Sequence, residues 1–159
     1  MNSLPKLSAY ALVVIAGLVA GCGSDSSAPT TPARSAATDG AAYRDAVNTI
    51  FNRVVDARGA YEDAHGRANV RQAGRNFELA TQKALGELGA LRPPASAHSL
   101  QSRATAPVLH AKLVARLTKL KTRLHDSLVA KPFNTARLGD AVRELTPADR
   151  IVTDINTLP

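Results

Sequence analysis

From Tyr43 onward, large apolar side chains return every three or four residues, the period of an amphipathic α-helix. Tyr43, Val47, Ile50, Phe51, Val54 and Tyr61 share one face of a first helix, with Thr38 or Asp39 as N-cap and Gly66 as the stop. A second stripe, Val70, Ala73, Phe77, Ala80, Ala84, Leu88 and Leu91, predicts a helix from about Ala68 to Leu91, ended by Pro93-Pro94. The most regular stripe is Leu113, Leu117, Leu120, Leu124 and Leu128. A single helix from Ala97 to Val129 would be about 50 Å long against about 36 Å for the second, so a kink or break is expected at Pro107. After Lys131-Pro132, Asn134 or Thr135 can cap a fourth helix with Leu138, Val142, Leu145, Val152 and Ile155 inward. Thr146-Pro147-Ala148-Asp149 has the form of a capping box with proline at N1. The apolar phase nevertheless runs through Pro147, which predicts a bend there rather than a separate element. Short connections between helices of similar length require antiparallel neighbours, so the expected fold is all-α, an antiparallel four-helix bundle. Narrow, alanine-rich stripes bring helices close together and leave little room for a bulky group, and no cofactor is expected.

The first residues follow another pattern. Lys6 precedes an unbroken run of twelve mostly apolar residues, Ala9 to Ala20, and small residues lead into Cys22, the single cysteine of 159 residues. Twelve helical residues cover roughly 18 Å of a hydrocarbon core of about 30 Å, so the run reads as a secretion signal rather than a permanent span. Val19, Ala20, Gly21 and Cys22 follow in order the aliphatic, small, small, cysteine pattern of a lipobox, and here the chain resembles the bacterial lipoproteins. The resemblance covers residues 1–22, with valine where that pattern more often has leucine. It implies that Cys22 is thioether-linked to diacylglycerol, becomes the new N-terminus after cleavage, and is often N-acylated. The expected location is then the extracytoplasmic face of a cell membrane, periplasmic or on the outer membrane if the host has two. Gly23 follows, so by the same resemblance there is no aspartate inner-membrane retention signal at that position. Residues 23–36 hold no large apolar side chain and are rich in Ser, Thr, Pro and Ala; as a flexible coil they reach roughly 20 Å. The chain thus divides into a signal (1–21), a lipidated cysteine with a tether (22–36) and a helical domain (37–159).

Charge changes the picture of the third helix. The chain has a formal net charge of +7, and residues 103–137 alone hold eight cations against Asp126. Lys112, Arg116, Lys119 and Arg123 recur at spacings of four, three and four, each one residue ahead of a core leucine, forming a ridge beside the apolar seam. Such a ridge suits an anionic envelope polymer or an acidic protein, or it is a solvated face paired in part with acids such as Asp140, Glu144 and Asp154. It is not needed for attachment: two acyl chains contribute on the order of 20 kcal/mol, whereas a basic side chain near an anionic surface adds about 1 kcal/mol. Nucleic acid is not an expected partner, because the lipobox directs the domain out of the cytoplasm and no aromatic platform interleaves the cations.

Four histidines raise the question of metal. His110 and His125 lie about 22 Å apart along one helix and cannot share an ion. In the antiparallel arrangement His65 and His125 come to the same end, where with Glu62 and the neighbouring Asp126 they form the one candidate metal cluster. Glu62 and His65 make a single Glu-x-x-His, while a carboxylate-bridged di-iron bundle needs two. The only methionine is Met1, so a His/Met haem site is not expected either. No nucleophile elbow, phosphate loop or inward carboxylate cluster is present, and an enzyme is not expected. The leading expectation is a lipid-anchored interaction or scaffold module; the alternative is a bundle that binds a small ligand or metal.

Overall fold

Asp39 opens the first helix by accepting a hydrogen bond from the Ala41 amide (3.3 Å), which satisfies one of the donors a helix start leaves free. The structure, a computed structural model, describes residues 39–159, and the chain there is all-helical. The lipobox, Cys22 and the tether lie outside the described residues. Five helices follow in order: α1 (Gly40–Glu62), α2 (Arg67–Ala90), α3 (Ala106–Val129), α4 (Thr135–Val142) and α5 (Leu145–Asn156). None is long and apolar enough to cross a membrane.

The buried residues follow the apolar stripes. Tyr43, Val47, Ile50, Phe51 and Val54 of α1 are buried, as is every core leucine of α3 from Leu109 to Leu128. On α2 the stripe is narrower than its apolar residues suggest, centred on Gly74, Phe77, Thr81, Ala84 and Leu88, with Val70 and Leu91 at its margin. Thr81 is buried without penalty because its hydroxyl donates to the Phe77 carbonyl one turn back (2.8 Å). Gly74 is a close-approach position: a Cβ there would lie 2.8 Å from a methyl of Leu138 and 3.1 Å from one of Leu128. α1 packs on α2, α2 on α3, and α3 on both α4 and α5, while α5 also touches α1.

Two expectations require correction. Of the kink or break expected at Pro107 the structure has the break and not the kink: α3 begins at Ala106, and the proline occupies its first turn, where a missing N–H costs nothing. The residues ahead of it form a loop instead. Ser99 is the reason, since its buried hydroxyl accepts from the amides of Gln101 (3.2 Å) and Ser102 (3.1 Å) and lies 2.7 Å from the Thr157 hydroxyl. Those amides are thereby withdrawn from any helical ladder. A short bridge between His98 and Thr105 closes the loop, with Arg103 at positive φ (57°).

The second correction concerns Pro147. The chain breaks ahead of it, at Arg143 and Glu144, and Pro147 sits within the first turn of α5. A proline offers no N–H to the carbonyl four residues back and its ring crowds that carbonyl, here that of Arg143. The Arg143 carbonyl accepts from Thr146 instead (3.3 Å), so the helix stops four residues early. The expected capping box at Thr146 does not form, whereas Asn134 caps α4 by accepting from the Ala136 amide (2.8 Å).

Candidate functional site

The break between α4 and α5 determines how the basic ridge of α3 is dressed. It turns Glu144, the residue preceding α5, onto α3, where its carboxylate meets Lys119 (3.1 Å) and Arg123 (2.6 Å). Only 13% of the Glu144 side chain is exposed, so this carboxylate is held in place and less screened than a free surface acid. Half of the ridge is therefore engaged. Asp140, also considered as a partner, pairs with Arg143 on its own side of the break (3.1 Å).

Lys112 and Arg116 are exposed and take part in no ion pair among the described residues. With Lys119 they line a groove of about 560 Å³ between α3 and α5, closed on the other side by Pro147, Arg150 and Ile151. Arg150 is the residue sequence reasoning missed. It lies off the apolar phase of α5 and has no regular spacing to the α3 cations, so only the packing of α5 on α3 reveals it. The groove thus brings four cations together over a partly apolar floor, with Glu144 beside one of them.

The proposed metal residues have other occupations. Glu62 binds Arg58 one turn back (2.8 Å), and His125 Nδ1 lies 2.9 Å from Glu78 on α2. His65 is exposed, its carbonyl accepting from Asn69 (3.0 Å). Among the described residues no group of three metal-ligating side chains comes together, so Glu62, His65 and His125 do not form the expected cluster.

Two further titratable groups lie inside the fold. His110 Nδ1 is 3.0 Å from the hydroxyl of buried Tyr43, and burial lowers the imidazole from its ordinary value. The same burial pushes the Tyr43 hydroxyl up to about 12, so both groups are neutral near pH 7 and hold a hydrogen bond rather than a charge. Burial raises the Asp149 carboxyl on α5, with Arg58 pulling it partly back.

No protein-family model matches the chain, and no curated protein or solved structure matches it either. The functional reading therefore rests on the residues themselves.

Proposed function

We propose that the chain is a lipid-anchored, extracytoplasmic interaction module that contacts an anionic envelope polymer or an acidic protein through the groove between α3 and α5. Its helical domain is read as an antiparallel four-helix bundle in which α4 and α5 share the fourth position. The cyclic order of neighbours, α1 to α2 to α3 to α5 and back to α1, supports that reading. So do the contacts of Arg44 with the Leu158 carbonyl and of Asn48 with Asn156 (2.8 Å), which run in opposite order along the chain.

The observation that carries the function is the division of labour along the ridge. Glu144 satisfies Lys119 and Arg123, while Lys112, Arg116 and Arg150 converge on one groove without a carboxylate of their own. An exposed ion pair contributes about 0.2–1 kcal/mol, so unpaired cations gain little from the fold and are available to a partner. Several such contacts together produce strongly salt-dependent binding.

The test is binding of the protein to polyglutamate at about 50 mM and about 300 mM salt, on either side of the range where a Debye length falls below ~10 Å. Binding at low salt, lost in the triple variant Lys112→Glu, Arg116→Glu, Arg150→Glu, is the expected result. Equal binding by the triple variant, with an unchanged melting temperature, would overturn the reading.

A further inference from the structure

The start of α2 presents a second cationic site, independent of the groove just described. Arg67, Arg71 and Arg75 stand at i, i+4 and i+8, so three guanidinium groups rise along one helix face. The connection after α3 carries Lys131 and Phe133 against them, and together these five side chains dominate the walls of a cavity of about 550 Å³. No carboxylate lines it. None of the four cations takes part in an ion pair among the described residues. The next acid along α2, Glu78, is engaged by His125.

Four like charges around one cavity repel one another, and the fold holds two of them, Arg67 and Arg71, in place. Arg67 donates to the Phe133 carbonyl (3.0 Å) and Arg71 to the Leu128 carbonyl (3.2 Å). Both guanidinium groups lie over the Phe133 ring, at 5.9 Å and 5.3 Å from its centre. Each of these bonds uses one of the five donors of an arginine, leaving most of each fork unassigned. Arg71 also buries its Nε–H, which finds no acceptor among the protein's own atoms. α2 has Gly66 as its N-cap and so no side-chain cap, and Ala68 of its first turn lines the same cavity, so the helix dipole adds positive potential to that side. Cations fixed in place, uncompensated and partly unsatisfied, are a local conflict that a bound anion resolves.

We propose that this cavity binds a phosphate group, with Arg67, Arg71, Arg75 and Lys131 as its ligands. Guanidinium forks match the oxygens of a phosphate two at a time, so a phosphate monoester or the phosphodiester of a headgroup meets the same donors. The phosphate can belong to a soluble phosphate ester or to a phospholipid headgroup; the chemistry of recognition is the same.

Calorimetric titration of the full-length protein in detergent with inorganic pyrophosphate tests the site, and flotation with phosphatidylglycerol vesicles, with Cys22→Ser protein so that the anchor does not contribute, tests the lipid source. Arg75 and Lys131 are exposed, so Arg75→Gln and Lys131→Gln leave the packing intact, while Arg71→Gln probes the half-buried centre. The expected result is saturable pyrophosphate binding, weakened about tenfold or more in either exposed variant and retained in the Lys112, Arg116, Arg150 triple variant. Binding confined to vesicles and lost in the same variants assigns the phosphate to a headgroup. Absence of binding to both probes, or binding to either that Arg75→Gln and Lys131→Gln leave unchanged, overturns the proposal. Because the triple variant leaves this cavity untouched, failure here and failure of the α3–α5 groove are distinguishable.

Discussion

Folding changes how readily His110 takes up a proton. Burial lowers its pKa from the ordinary value of about 6.5, so between the two values the unfolded chain binds the proton more readily than the folded one. Its contribution to stability is complete above about pH 6.5 and is lost as pH falls through the folded value. Asp149 works in the opposite sense at lower pH: its carboxyl is raised, so its contribution is present in acid and lost as pH rises through the folded value. Urea denaturation between pH 8 and pH 5 should therefore show a decline in stability that His110→Gln reduces; identical pH profiles for the two proteins would contradict it. Spacing alone does not reveal this residue. Its position beside Leu109 puts it at the margin of the apolar face, but the partner, Tyr43, is 67 positions away.

Among the elements, the connection between α2 and α3 departs most from what apolar spacing predicts. A side-chain hydroxyl decides it, because Ser99 offers the amides of residues 101 and 102 an acceptor nearer than any helical carbonyl and also joins the loop to Thr157. Ser99→Ala should destabilise the protein by about 1–3 kcal/mol, since it leaves partly buried amides without an acceptor. Equilibrium denaturation measures that loss, and amide exchange should accelerate first at Gln101 and Ser102; a protein as stable as the original would mean that apolar contacts of Ala97 and Ala106 hold the loop. The α4–α5 break is equally local in origin. Pro147 was visible in the sequence, yet its effect falls on Arg143 and Glu144, because a proline disturbs the carbonyl four residues before it. That displacement brings Glu144 to Lys119 and Arg123 and so selects which part of the basic ridge stays free.

For the whole molecule, attachment and recognition are separate functions in the reading proposed here. Cys22→Ser should release the protein from membranes or leave its precursor unprocessed, as fractionation and mass spectrometry of the N-terminus would report. A correctly cleaved serine variant that stays on the membrane would contradict lipidation. The magnitudes keep the two roles apart: acyl chains contribute on the order of 20 kcal/mol, and even several basic contacts at about 1 kcal/mol each do not replace them.

The sequence by itself determined α1, α2, the body of α3, the apolar faces and the caps at Asp39 and Asn134. Those properties depend on residues within a turn or two of each other, and helical period, Asp39, Asn134 and the prolines report them directly. The ridge from Lys112 to Arg123 was legible for the same reason, whereas the i, i+4, i+8 arginines of α2 gained meaning only from the segment packed against them. Only the tertiary structure decided which charges are free. Glu144 reaches α3 across a break, Arg150 shares a groove with Arg116, and Lys131 and Phe133 meet Arg71, each through packing between segments far apart in the chain. An ion pair depends on distances of a few ångströms between side chains, and no local pattern carries that information.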